Sequence, residues 1–261
     1  LEAIDDEEII LISPTASTNG LSGIDDASLR VVSSNVSATD ALARYAGKQM
    51  GLRRMAAIYD RSNLAYTEPW FEHFRSTFEA AGGQIISVLS YTSGPEISFA
   101  GLTRKLLADQ PDGLVLVAGA LDAAMICQQI RKHRRWAPIL ICGWAKTHDF
   151  LRHGGPAVEG VIASEANSED SDIPAYQAFA ARYEKRFSQR PDFAAHYGYE
   201  AARVLFYGLS RSSQPAGIKR AIIEKETFPG LQGDFRIDRW GDAHWDRFII
   251  QVRDNRLRKL E

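Results

Sequence analysis

The sequence predicts an α/β protein of mainly parallel sheet flanked by helices, and three observations predict it. Short apolar runs of strand length alternate with amphipathic stretches of ten or more residues over almost the whole chain. Such alternation implies βαβ units, whose crossover helices cover both faces of a parallel sheet. The 261 residues also suffice for one large domain or two smaller lobes, each with its own core.

Each element follows from a local signal. Ile9 to Ser13 is an apolar run ended by Pro14, and Leu29 to Ser33 is a second strand. Ala38 to Gly51 places Leu42, Tyr45, Ala46 and Met50 at helical spacing, with Gly51 as a stop. Arg54 to Tyr59 is a strand, Pro69 to Ala81 a helix closed by Gly82-Gly83, and Gln84 to Tyr91 a strand. Helix Phe99 to Asp109, strand Gly113 to Ala118, helix Asp122 to His133 and strand Ile139 to Cys142 follow, then strand Gly160 to Ser164. The acidic stretch Glu165 to Asp172 has the composition of a solvated loop. Helices are expected over Pro174 to Phe187, Phe193 to Ser212 and Ile218 to Glu226. Gly233 to Ile237 and Arg247 to Arg253 are expected to be strands joined by a turn at Gly241-Asp242. In such sheets ligands sit beyond the carboxyl ends of the strands. This singles out Ser13 to Ser17, Asp60 to Tyr66, Ala118 to Asp122 and Gly143 to Ala145.

Charge and composition exclude several function classes. A formal net charge of −2 carries no basic excess, so nucleic acid is not an expected partner. The one basic cluster, Arg131 to Arg135, reads as cations at a helix C-terminus. Cys127 and Cys142 have neither metal-ligand spacing nor a disulfide framework, and both read as buried thiols. No apolar run reaches the roughly 20 residues of a membrane span. The acidic segment Leu1 to Glu8 lacks the basic and apolar regions of a leader peptide.

Catalytic signatures are missing as well. The chain has no phosphate loop, no G-x-G-x-x-G after a strand, no H-E-x-x-H and no G-x-S-x-G. His148 and His153 are not at metal-binding helical spacing. Asp60 and Glu68 could pair near one strand end, but Asp60 reads better as a turn former and Glu68 as a first-turn helix acid.

An ordered series of weak motifs then points to a family. Ile12-Ser13-Pro14-Thr15-Ala16-Ser17-Thr18-Asn19 resembles the strand, Ser-Pro and Thr-rich turn of the branched-chain amino-acid (Leu/Ile/Val)-binding proteins. These are the type I periplasmic solute-binding proteins of ABC transporters. Met55 to Asp60 followed by Tyr66, Phe71 to Ile85, and Ile97-Ser98-Phe99 (without the usual Asp) continue the resemblance in order. So do Pro111-Asp112-Gly113, Ala118 to Asp122, Ala157 to Val161, Phe179 to Pro191, Tyr197 to Ala201, Gly230 to Gly233 and Gly241-Asp242. Family members carry several β-α units before the Ser-Pro strand. Here that strand begins near Ile9, which implies that the first part of the amino-terminal lobe is not in this chain.

The resemblance implies two α/β lobes joined by a hinge around an interlobe cleft, residues 1–52 with 166–231 and residues 53–165 with 232–261. It implies a periplasmic or extracytoplasmic carrier that hands a small molecule to a permease in the inner membrane, with no catalysis, cofactor or metal. In the family the turn after Ser-Pro binds the ligand's amino and carboxylate groups. Thr15, Ala16 and Ser17 occupy that turn, Ser17 in the hydroxyl position, and Tyr66 matches an aromatic packed over the ligand.

Three positions depart from the family pattern. Ala118-Gly119-Ala120 is small where an aromatic often stands. The loop Gly143-Trp144-Ala145 lacks the acid that pairs with a ligand ammonium, and Ala194 is small where a bulky aromatic stands. An ammonium without its partner is costly to bury. The departures therefore argue against a simple α-amino acid and, within the amino-acid-like, carboxylate-bearing or aromatic small molecules that the resemblance implies, favour a carboxylate-bearing or aromatic one, which Trp144 can stack on. A ligand-sensing receptor of the same fold and a non-binding remnant stay open as alternatives.

Overall fold

The structure is a computed structural model and describes residues 9–260. The acidic segment 1–8 considered above lies outside the described residues. Along the chain run β1 (Leu11–Ser13), β2 (Ser28–Arg30), α1 (Asn35–Arg44), β3 (Arg54–Asp60), α2 (Leu64–Ala80), β4 (Gln84–Tyr91), α3 (Phe99–Leu107), β5 (Gly113–Val117), α4 (Ala120–His133) and β6 (Ile139–Ile141). Then come α5 (His148–Gly154), β7 (Ile162–Glu165), α6 (Pro174–Phe187), α7 (Phe193–Leu209), α8 (Pro215–Lys225), β8 (Thr227–Gly230), β9 (Gly233–Ile237), β10 (Ala243–His244), β11 (Phe248–Arg253) and β12 (Arg256–Lys259).

The chain divides into two units, residues 1–34 with 166–246 and residues 35–165 with 247–261. Two of the expected boundaries move, from 52/53 to 34/35 and from 231/232 to 246/247. Packing is the reason. α1 puts Leu42 and Ala43, and the π-helical turn Tyr45–Gln49 after it puts Ala46, into the core that holds Trp70, Phe74 and Phe78 of α2. β9 pairs antiparallel with β8, and Trp245 stacks on Phe235 at 4.3 Å, which keeps 232–246 in the first unit.

The second unit is a seven-stranded sheet in the order β12-β11-β7-β6-β5-β3-β4. Neighbours from β4 through β7 pair in parallel, while β11 and β12 close one side antiparallel. Alternation along each strand sorts its side chains between two cores. Ala56, Ile58, Leu114, Leu116, Ile139 and Ile141 meet Phe99, Ile126 and Phe150 of α3, α4 and α5. Met55, Ala57, Val115, Val117 and Leu140 meet α1 and α2. β5 is buried at every position, so each of its large aliphatic side chains contributes about 1.5–3 kcal/mol of burial.

The first unit holds a parallel pair, β1-β2, and an antiparallel sheet in the order β10-β9-β8. Leu29, Val31, Tyr197, Val204, Ile218, Ile222, Phe228, Phe235 and Trp245 form its main core. Gly241 turns with φ +89° against β2, where a Cβ would stand 2.7 Å from the Ser28 carbonyl.

Several expectations change. Residues 233–237 and 247–253 do not form a hairpin: β9 pairs with β8 and β10, whereas β11 pairs with β7 and β12. β8, β10, β12 and α5 were not expected, being short or poor in apolar periodicity. α2 begins at Leu64 rather than at Pro69, and Pro69 lies inside it at the cost of one helical hydrogen bond. Thr67 fastens that extra turn by donating its hydroxyl to the Asp60 carbonyl at 2.6 Å.

Candidate ligand-binding site

In the second unit the chain runs from β3 outward to β4, then back past β3 to β5. The order thus reverses between β3 and β5, and the loops after Asp60 and Val117 flank that reversal, where a sheet of this kind leaves a crevice. Asp60 is buried and organises the rim. Its carboxylate accepts the Ser62 N–H at 2.8 Å, the Ser62 hydroxyl at 2.6 Å and the Ser93 N–H at 3.1 Å. It is thus a turn former, and Glu68 lies exposed on α2.

Tyr66 stands in the first turn of α2, half-buried, and not on a loop as expected. Trp144 lies in the 3-10 turn Gly143–Ala145 after β6. The Trp144 N–H donates to the Tyr66 hydroxyl oxygen at 3.3 Å, and the two rings meet edge-on with centroids 6.1 Å apart. Gly119 caps α4 beneath the indole. A Cβ there would come within 3.3 Å of the Trp144 ring, so glycine is what lets the indole lie so close. Ala118 and Ala145 are buried behind this cluster. The Cys142 thiol donates to the Ala118 carbonyl at 3.5 Å, and the Ala145 N–H donates to the Cys142 carbonyl at 3.2 Å. Ala120 opens α4 and is half-buried.

Burial pushes the Tyr66 phenol well above its usual range, and burial likewise raises the Cys142 thiol. Tyr91, at the end of β4, donates its hydroxyl to Asp122 of α4 at 2.9 Å, and burial raises its phenol too. Lys146, just after the Trp144 turn, forms an ion pair with Glu165 at the end of β7. Glu165 departs from the solvated loop that its acidic surroundings predict. It is instead the last residue of a strand and 3% exposed, with Ala166 and Asn167 also buried. The apolar run just before it was the available signal.

The first unit carries the other four candidates. Thr15, exposed, and the half-buried Ala16 and Ser17 follow β1. Arg30, buried on β2, fixes this turn by donating to the carbonyls of Ala16 at 3.3 Å and Thr18 at 2.8 Å, the residues on either side of Ser17. Its Nε is held by Asp242 at 2.7 Å, and Asp242 also accepts the Gly23 N–H at 2.8 Å. No sequence motif pointed to Arg30, because its partner is 212 residues away. Ala194 is exposed at the start of α7, whose N-terminus Asp192 caps by accepting the Ala195 N–H at 2.9 Å.

Chemically, the Tyr66-Gly119-Trp144 cluster offers an aromatic corner of neutral groups. Among the described residues no group of His, Cys, Asp and Glu could hold a metal ion, and no helix is long and apolar enough to cross a membrane.

Comparison with known proteins adds the family. Among curated proteins none matches this chain. Solved structures share the fold. A leucine-binding protein of Thermotoga maritima MSB8 is 23% identical with a TM-score of 0.88, over 100% of this chain and 74% of that one. An ABC-transporter solute-binding protein of R. palustris, in complex with benzoate, is 17% identical with a TM-score of 0.87, over 99% and 72%. A branched-chain amino-acid transporter substrate-binding protein of Streptococcus pneumoniae, in complex with isoleucine, is 16% identical with a TM-score of 0.84, over 96% and 71%. The family described as "Periplasmic binding protein" matches residues 1–256. With that match over nearly its whole length and a type I α/β fold to accompany it, the chain belongs to the periplasmic binding protein family.

Proposed function

We propose that this chain is the extracytoplasmic solute-binding component of an ABC transporter. It captures a small molecule bearing a carboxylate or an aromatic ring and presents it to a membrane permease, without chemical turnover. The observation that supports this reading is the Tyr66-Gly119-Trp144 corner at the reversal of the sheet, which suits a flat apolar group. Glu165, the acid beside the Trp144 turn, is engaged by Lys146, so an ammonium drawn to it would have to compete with that cation. Taken by itself, the first unit has in its Thr15-Ala16-Ser17 turn, set by Arg30, a hydroxyl-bearing turn of the kind that can donate to a carboxylate. Relatives with this fold include one in complex with benzoate and one in complex with isoleucine, and both chemistries belong in the test.

The experiment is calorimetric titration with leucine, isoleucine and benzoate, on the parent chain and on Trp144→Ala. Benzoate is expected to bind, with Trp144→Ala weakening it by tenfold or more, roughly the 1.4 kcal/mol of an aromatic contact. Tight leucine binding that Trp144→Ala leaves unchanged would overturn the aromatic reading.

A further inference from the structure

A second surface lies at the other end of the same sheet. α3 and α4 run back from the carboxyl edge and end at the amino edge, just before β5 and β6. Helix C-termini favour cations, which accounts for some positive charge there. Two of the five basic residues at 131–135 serve that local role. Arg131 donates to the carbonyls of Ala137 at 2.7 Å, Ala157 at 3.2 Å and Glu159 at 3.2 Å, and Arg134 donates to the Pro111 carbonyl.

The others have no such inward task. Lys132, His133 and Arg135 are exposed, as are Arg104 and Lys105 at the end of α3. Beside them Trp136 projects into solvent, 81% exposed, with the Arg135 guanidinium 5.0 Å from its ring centroid. The acids at this edge are partly engaged: Asp112 accepts the N–H groups of Arg53 and Arg54, and Glu159 accepts the Asp254 N–H, while Asp109 is exposed. The bias extends to the whole unit. Residues 35–165 and 247–261 hold 19 Lys and Arg against 14 Asp and Glu, a formal +5, and the remainder of the chain holds 12 against 19, a formal −7, which together give −2.

We propose that this edge docks on an anionic phospholipid bilayer, with Trp136 seated at headgroup depth and Arg104, Lys105, Lys132, His133 and Arg135 facing the lipid phosphates. An indole flanked by cations is the side-chain combination that settles at a charged membrane interface. The feature projects, which fits a bilayer better than a peptide lying in a groove. The adjoining groove along α4 and α5, about 1520 Å³, is lined by both signs, with Arg152 paired to Asp149 at 2.8 Å, and selects no anion by itself. The inference is independent of the ligand reading, because these residues lie at the opposite edge of the sheet from Tyr66 and Trp144.

The test is flotation of the intact chain with vesicles of phosphatidylcholine alone and of phosphatidylcholine mixed equally with phosphatidylglycerol. Retention is expected on the mixed vesicles and not on the neutral ones, with weakening by rising salt. Each deleted cation should weaken binding about fivefold, so Lys132→Ala with Arg135→Ala together should lose roughly 25-fold. Trp136→Ala should also weaken retention and abolish a blue shift of indole emission on the vesicles. All three side chains are exposed, and an unchanged melting curve verifies folding. Equal retention on both vesicle types, no retention on either, or no effect of the cation variants would overturn the proposal. Binding to an acidic polypeptide without binding to vesicles would overturn it too, assigning the edge to a protein partner.

Discussion

The main-chain N–H of Trp144 hydrogen-bonds to the hydroxyl of Tyr66 at 3.3 Å while their rings meet edge-on at 73°, so α2 and the turn after β6 share one aromatic corner. The phenol has a structural task there in addition to any contact it makes with ligand. Tyr66→Phe keeps the ring and removes the acceptor. The expected cost is about 1 kcal/mol of stability, read from urea denaturation, with an altered Trp144 contribution to the near-ultraviolet circular dichroism. An unchanged urea midpoint would show that the bond contributes nothing.

Gly119 sets how closely the indole approaches α4. Gly119→Ala places a methyl group about 3.3 Å from the ring and forces a displacement of a few tenths of an ångström. We expect a loss of about 1 kcal/mol and a shift in indole fluorescence, and Gly119→Val should cost more. If valine is accommodated with the spectrum intact, the corner is not packed as described.

In the first unit, Arg30 and Asp242 are both buried, and the arginine holds two carbonyls of the Ser17 turn. Arg30→Met leaves the Asp242 carboxylate without its cation and should cost about 3–5 kcal/mol. Faster amide hydrogen exchange over residues 15–18 is the accompanying readout. Exchange confined to other segments would separate Arg30 from that turn.

Glu200 provides a pH prediction. Burial raises its carboxyl above the ordinary value, offset in part by the Leu231 N–H at 2.5 Å and by Arg203 at 3.1 Å. A carboxyl with a raised folded pKa binds its proton more tightly when folded than when unfolded. Its favourable contribution is therefore complete below the unfolded value and declines as pH rises through the folded one. Glu200→Gln keeps an acceptor for Leu231 and removes the titration. The parent's urea midpoint should fall relative to the variant's as pH rises from about 4.5 toward neutrality. Parallel profiles would contradict the shift.

Cys127 and Cys142 are fully buried, and burial pushes the Cys127 thiol up to about 12. A thiol-disulfide reagent should leave both unmodified in the native protein and label two groups after denaturation. Prompt native labelling of either would reveal an opening that exposes it.

The sequence by itself determined the alternation of strands and helices. Period-two and helical apolar patterns, with Gly and Pro at their ends, are local properties that survive without knowledge of partners. β4, α6 and β9 accordingly fall where the pattern placed them. It also located the strand-end segments that hold Tyr66, Gly119 and Trp144, because a parallel sheet gathers its carboxyl ends on one edge. Only the tertiary structure decided which strands share a sheet, and so put β9 and β11 in different units. It alone joined Tyr66 to a residue 78 positions away and Arg30 to one 212 positions away, and it turned Glu165 from an exposed acid into the buried partner of Lys146. Pairings of that kind depend on how distant segments pack, and residue spacing along the chain carries no record of them.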